Sequence, residues 1–282
     1  MKRKNRIQRV TKLWKFIWIS TASLLLFFVA APLVAMISTS FKPFKEQLTS
    51  PPTIFPINPT FDNYLSALGE PAFIRYLANS FAVTICTTIF AIFFATFATF
   101  AFTRLNFPGR KLFLVFVILG QVVPLSAVAV PLYQNAVALG VIDFLPALVA
   151  VYLALVLPVA VWMMRSYMAN IPKEIEEATL VDGCSPLGAF IRVLLPMIVP
   201  GIAATASYIF FVVWQEFLFA LVYTTKQENR TVAVGILDFV GQYETNWGNL
   251  MAASVLMAIP AMITFLFIQK RLVGGLTDGA VK

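Results

Sequence analysis

Apolar and polar positions alternate along this chain in long blocks. Six apolar runs stand out, at 16–38, 78–103, 112–133, 145–164, 197–223 and 249–268. Each is about the length, roughly 20 mostly apolar residues, that a helix needs to cross the hydrocarbon of a bilayer. A transmembrane barrel would show strands of about ten residues with strict alternation, and these runs are continuous. Several carry Pro or Gly, which membrane helices tolerate where neighbours re-satisfy the backbone. The pattern predicts an all-α membrane protein with six transmembrane helices.

Composition agrees. Hydrophobic residues make up 60% of the 282 and charged residues 12%, against about half and a quarter in a soluble domain. The net charge of +8 sorts by side. The arm 1–15 holds Lys2, Arg3, Lys4, Arg6, Arg9, Lys12 and Lys15. The second-to-third connection holds Arg104, Arg110 and Lys111, and the fourth-to-fifth holds Lys173 between Arg165 and Arg192. Lys270, Arg271 and Lys282 follow the last run. The other connections hold only Lys42, Lys45, Arg75, Lys226 and Arg230. The positive-inside rule then places both termini in the cytoplasm. Membrane lipid accounts for the charge without nucleic acid. The first run has a basic flank like a signal peptide, but exceeds the usual 7–15-residue apolar core, so it reads as a retained span.

This gives a basic cytoplasmic arm (1–15), a first transmembrane helix (16–38), an extracytoplasmic loop (39–77), a transmembrane core (78–268) and a cytoplasmic tail (269–282). The loop is rich in Pro (Pro43, Pro51, Pro52, Pro56, Pro59, Pro71) and reads as turns and extended pieces; a passive linker fits it equally well. The polar connection 224–248 faces outside. Histidine is absent, and the two cysteines, Cys86 and Cys184, lie at different levels with no metal spacing. No nucleophile–base pair is evident, so an intramembrane enzyme finds no support.

The longest cytoplasmic break, 171–196, carries the most information. Pro172 suits a first helical position. Glu174, Glu176 and Glu177 follow in the first turns, where they favour the helix dipole. Ile171, Ile175 and Ala178 line one side, and Gly183 is placed for a left-handed cap. Ser185 can cap a second helix with Pro186 at its start. Leu187, Phe190, Ile191, Leu194 and Leu195 give that helix an apolar face. The pattern fits two short helices at a bend, and it also fits a solvated loop.

A resemblance to a known family favours the bend. Glu177-Ala178-Thr179, three residues, Gly183, nine residues, then Val193-Leu194-Leu195-Pro196 resembles the EAA signature of bacterial ABC importer permeases. That signature reads E-A-A, three residues, G, nine residues, I-x-L-P; Thr179 and Val193 are the departures. Asp182-Gly183 before Ser-Pro is similar to the sugar branch. So are Asn79-Ser80, Arg104-Leu105-Asn106-Phe107-Pro108-Gly109-Arg110, Trp214-Gln215-Glu216-Phe217-Leu218-Phe219-Ala220, Met251-Ala252-Ala253-Ser254 and the tail from Gly275 to Lys282. The branch usually has Asn where Gln215 stands. Together these resemble the MalG-like permease subunits of carbohydrate ABC importers along nearly the whole chain.

The resemblance implies a type I ABC importer permease fold in the bacterial inner membrane, with 171–196 as the coupling segment. Its contact residues to an ATPase would be Glu177, Ala178, Thr179, Asp182, Gly183, Val193, Leu195 and Pro196. It implies a second homologous permease subunit, two cytoplasmic ATPase subunits and an extracytoplasmic sugar-binding protein that meets the 224–248 loop. The tail would reach the ATPases. This chain would bind no cofactor, since ATP and Mg sit on the ATPases, and no G-x-x-x-x-G-K-[ST] loop occurs here. Trp214, Gln215, Glu216 and Phe217 are candidates for the translocation path. Glu216, the only acid inside a run, fits either path lining or a structural contact between subunits. The 27 Phe residues read mainly as packing and lipid-facing groups. Other readings are a permease for polyamines or other small solutes, and an autonomous ion-coupled carrier, which Glu216 alone supports weakly.

Overall fold

The computed structural model of the chain describes residues 2–241 and 245–277. Every regular element among the described residues is helical. The chain divides into two compact units, 1–69 with 239–256, and 70–238 with 257–282.

The first unit begins with α1 (Lys2–Ser40), which carries the arm and the first apolar run as one helix. Then come α2 (Phe44–Gln47) and α3 (Asp62–Gly69). The loop between α1 and α3 is tied down by specific bonds. Buried Asn63 donates to the carbonyls of Ser40 and Lys42, both at 2.8 Å, and Ser40 Oγ lies 2.7 Å from the Tyr64 hydroxyl. Phe41, Phe61 and Tyr64 pack ring to ring, with Phe41 5.3 Å from Phe61. Glu46, 8% exposed, accepts from the Ile57 amide at 2.7 Å and the Asn58 amide at 3.3 Å. The Ile57 N–H, ahead of the Asn58 amide, the Thr53 hydroxyl and the Lys42 charge, holds its carboxyl below the usual glutamate range against the opposing effect of burial. The Pro-rich loop is therefore ordered by specific contacts within its own unit and is not a passive linker.

The second unit is built on α4 (Pro71–Arg104), which starts seven residues before the second apolar run. After it come α5 (Arg110–Leu119), α6 (Leu125–Ala138) and α7 (Leu145–Ala169). Next are α8 (Lys173–Val181), α9 (Pro186–Ala189), a π turn (Phe190–Leu194) and α10 (Leu195–Met197). The unit continues with α11 (Val199–Trp214), α12 (Leu218–Tyr223) and α13 (Val232–Gly235). The last helix, α14 (Trp247–Thr277), begins in the first unit and ends in this one.

The core of this unit is α4 against α7 and α11. On α7 the buried residues recur every fourth position: Leu148, Tyr152, Val156, Ala160, Met164 and Met168. The matching face of α4 is small and weakly polar (Ser80, Thr84, Thr87, Ala91, Ala95, Thr99). Membrane helices gain little from apolar burial in lipid, so small residues that allow close approach set their packing. Gly201 at the start of α11 shows how close this is: a Cβ there would lie 2.5 Å from the Tyr167 ring.

Two apolar runs depart from a single straight helix. The run 112–133 is divided between α5 and α6 by a break ending at Pro124, which serves as the N-cap of α6. Pro124 has no N–H to continue a helix and disfavours helical backbone at the residue before it. The run 197–223 is bent at Ile198, where α9–α10 and α11 meet at 71°, and opens again at 215–217. By length and composition, four described helices suit membrane crossing, with the bent pair as a fifth.

Candidate functional site

The segment 171–196 forms a rigid bend. Pro172 is the N-cap residue, so α8 starts one position later than the sequence pattern predicts. The helix ends in a complete Schellman motif. Gly183 adopts φ +87°, its amide donates to the Leu180 carbonyl at 3.1 Å, and the Cys184 amide donates to the Thr179 carbonyl at 3.2 Å. Ser185 Oγ then accepts from the Gly188 amide at 3.1 Å, with Pro186 at the first position of α9. One helix is closed and the next opened within three residues, which leaves the bend little freedom.

The inner face of the bend is made by Ile171, Ile175, Glu176 and Thr179, with Phe190 and Leu194 from the following turns. Phe190 packs on Phe100 at 4.5 Å and Phe97 at 5.5 Å. Two expectations are corrected here. Ala178 is exposed and does not share the face of Ile171 and Ile175. Leu187 and Ile191 are 55% and 48% exposed, because the wider π turn rotates Phe190 and Leu194 inward in their place. Thr179, where the signature has Ala, satisfies its hydroxyl on the Ile175 carbonyl at 2.7 Å. Val193 and Leu195 are half-buried and Pro196 is exposed at the turn into α11.

Beside the Phe190 packing, a polar contact holds the bend to the bundle, and the sequence pattern gave no sign of it. Arg104, the last residue of α4, places its Nε 2.8 Å from Glu176 Oε2, with the two side chains only 6% and 14% exposed. This is an ion pair whose N–H is not aligned as a hydrogen bond. The same guanidinium donates through Nη2 to the carbonyls of Ile171 at 3.0 Å and Met168 at 3.4 Å. Arg104 thus caps the end of α7 and grips α8 at once, the multiple-donor role to which guanidinium is suited. In sequence Arg104 reads as a positive-inside charge that opens the motif Arg104–Arg110, and neither reading points to Glu176.

The outer face carries what remains. Glu177, Ala178, Asp182 and Gly183 are exposed, beside Val181 at 87% and Leu187 at 55% exposure. No described hydrogen bond or ion pair engages the Glu177 or Asp182 side chain. A carboxylate next to bare apolar side chains on a doubly capped bend has the make-up of a protein-docking surface.

The four path candidates are separated. Trp214 is buried, stacked on Phe210 at 5.6 Å and donating through Nε1 to the Met257 carbonyl at 3.0 Å. Gln215 and Phe217 are exposed in the break between α11 and α12. Half-buried Glu216 accepts from the Phe219 amide at 3.0 Å, the Ala220 amide at 3.2 Å and the buried Tyr152 hydroxyl at 2.6 Å. It thereby caps the first turn of α12, where a carboxylate meets free N–H groups and the positive end of the helix dipole. The partner it needs lies within its own chain.

At the far end of α4, Asn79 donates to the carbonyls of Glu228 at 2.9 Å and Arg230 at 3.0 Å, and Ser80 Oγ accepts from the Val232 amide at 2.8 Å. The Tyr76 hydroxyl donates to Asp238, which also holds Arg230 at 2.6 Å. Asp143, in the left-handed region at φ +62°, accepts from Thr225 Oγ1 at 2.5 Å and the Lys226 amide at 2.8 Å. Burial would raise its carboxyl, but these donors outweigh it and hold Asp143 below the usual aspartate range. The 224–238 connection is thus fastened to α4 and to the α6–α7 turn. Of the sequence motif at the tail, 278–282 lies outside the described residues.

Long apolar helices around a small-residue core, with a capped polar bend exposed beside them, define a multi-span membrane protein. The chain belongs to the family of binding-protein-dependent transport system inner membrane components, whose pattern it matches over residues 88–277. It is 34% identical over 267 residues to the diacetylchitobiose uptake system permease protein DasC of Streptomyces coelicolor, covering 94% of this chain and 97% of that one. It is 35% identical over 254 residues to the trehalose/maltose transport system permease protein MalG of Thermococcus litoralis, covering 89% and 91%. The sulfoquinovosyl glycerol transport system permease protein SmoH of Agrobacterium fabrum is 34% identical, covering 93% and 92%. In fold it is similar to a chain of a bacterial ABC transporter involved in import of the acidic polysaccharide alginate, with TM-score 0.79 at 17% identity over 92% of this chain and 96% of that chain. The chain is a non-catalytic permease subunit of an ABC transporter.

Proposed function

We propose that this permease forms half of the translocation path of an ATP-driven importer for a sugar, an oligosaccharide or glycoside delivered by a solute-binding protein. The observation that carries the reading is the bend of α8 and α9. Its caps make it stiff, its inner face is fastened to the bundle, and its outer face offers Glu177, Val181 and Leu187 to another protein. A stiff knob transmits displacement, where a loop would absorb it. ATP and Mg would sit on two ATPase subunits docked there, with Glu177 making a charge-assisted contact. A second, homologous permease would complete the path.

Sugar as the substrate class is supported by the relatives, whose names specify diacetylchitobiose, sulfoquinovosyl glycerol and trehalose or maltose. Delivery by a binding protein is supported by the family description and by a similar chain in an alginate transporter solved with its periplasmic protein. The 224–238 connection, braced by Asn79, Ser80 and Asp143, suits the face that such a protein meets.

The test is to purify the chain from its native membrane and identify what comes with it. An ATPase and a second permease are expected, and uptake by the reconstituted complex of one or more sugars from a panel of glycosides. A chain that transports by itself when reconstituted alone would overturn the proposal. Uptake of polyamines in place of sugars would move it to another substrate class.

A further inference from the structure

The structure points to a transmission path through the second unit, entered at Arg104. We propose that Arg104, through its ion pair with Glu176, is the positioning residue by which displacement of α8 enters α4, and that α4 carries it to the 228–238 connection. This rests on the reading of α8 as the surface that partner ATPases move.

The contacts at the two ends of α4 carry the inference. At one end a single nearly buried guanidinium bridges three elements: the last residue of α4, the Met168 and Ile171 carbonyls closing α7, and Glu176 of α8. Glu176 is the only acid of α8 in an ion pair among the described residues. A push on α8 therefore meets α4 at a short, partly desolvated contact that resists separation. At the other end Tyr76, Asn79 and Ser80 hold Asp238, Glu228, Arg230 and Val232. Between them α4 is one unbroken helix with no internal proline. At 1.5 Å per residue, Asn79 and Arg104 stand about 38 Å apart, more than the roughly 30 Å of bilayer hydrocarbon. A stiff rod anchored at both ends is the kind of contiguous element through which coupling travels.

The experiment uses the whole importer in proteoliposomes and needs no knowledge of the sugar. Cys86 and Cys184 are replaced by Ser, and Glu228→Cys serves as a reporter, labelled by a maleimide with and without ATP. With Arg104 intact, ATP is expected to change the labelling rate. In Arg104→Gln and in Glu176→Gln the ATP-dependent change should fall by about tenfold, within the range that residues along a coupling path command. The ATPase should still copurify and hydrolyse ATP. The double variant should lose no more than Arg104→Gln alone, since Glu176 acts through that one contact. Arg104→Lys keeps the charge opposite Glu176 but not the fork on the Met168 and Ile171 carbonyls, and should restore part of the response. The proposal is overturned if the Gln variants respond like the parent, if Arg104→Lys responds no better than Arg104→Gln, or if the Gln variants lose the ATPase, which would make the pair a part of the docking face. If the parent chain itself retains no ATPase, the docking reading fails instead.

Discussion

In the proposed docking face Gly183 and Glu177 have different parts, Gly183 through its left-handed backbone and Glu177 through its exposed carboxylate. Gly183 sits at φ +87° with nothing within 4 Å of where a Cβ would project. Any L side chain there meets the same backbone strain, about 1–2 kcal/mol, and no steric clash within the chain. Gly183→Ala and Gly183→Trp should therefore lower the thermal stability of the purified chain by similar amounts. They should differ in ATPase retention, which Ala largely keeps and Trp abolishes, as read by copurification. Equal retention by the two would show that nothing docks over this position. Glu46 permits a test by pH. Its folded carboxyl is depressed, so its stabilising effect is complete above the ordinary glutamate range and fades as pH falls through the folded value. Amide exchange at Ile57 should quicken on acidification in the parent. In Glu46→Gln it should already be fast at neutral pH and show little further change of this origin. At this scale the sequence was legible where a residue type is tied to backbone geometry, as with Gly183 and the Ser185 cap. It was not legible where two acids are neighbours. Nothing in the run Glu174, Glu176, Glu177 indicates that Glu176 turns inward to Arg104 while Glu177 faces out, because that depends on where α4 ends in space.

Single helices were easier to read from the chain than their breaks. Apolar length announces α1, α4, α7 and α14, because the requirement to span hydrocarbon is local to each. The 71° bend at Ile198 lies between Pro196 and Pro200 and is locally marked, whereas the π turn and the gap at 215–217 arise where α9–α12 fit around α4 and α7 without such a signal. Glu216 shows the consequence. Its position inside an apolar run raises a functional expectation, yet its oxygens are spent on the α12 N-terminus and Tyr152. Glu216→Ala removes both the cap and the Tyr152 acceptor. It should cost about 1–3 kcal/mol, seen as a lower midpoint of thermal aggregation in detergent with loss of uptake in parallel. Glu216→Gln keeps a carbonyl oxygen for the α12 amides and should retain most of the stability and the uptake. Loss of uptake in the Gln variant at unchanged stability would instead assign the charge itself to the translocation path.

Across the second unit, α4 settles how the two polar faces relate. The 228–232 connection is bonded to α4 at Asn79 and Ser80, and the α8 bend is bonded to it at Arg104. With about 38 Å of helix between those contacts and about 30 Å of hydrocarbon to cross, an α4 that spans the bilayer would put the two faces on opposite sides of it. The charge pattern then chooses the sense. Arg104, Arg110, Lys111 and Arg165 gather toward the end that bears α8, and excess Lys and Arg mark the cytoplasmic side. In spheroplasts, with Cys86 and Cys184 replaced by Ser, Glu228→Cys should react with an impermeant maleimide from outside. Val181→Cys, 87% exposed on the bend, should react only after the membrane is opened. Labelling of both from outside would contradict the span formed by α4. The reverse pattern would keep the span but invert the molecule, placing the bend where no cytoplasmic ATPase could reach it. Neither the helix length nor the charge count suffices alone: a spanning α4 would oppose the two faces, and the charge pattern would place the bend on the side that a cytoplasmic ATPase is proposed to meet.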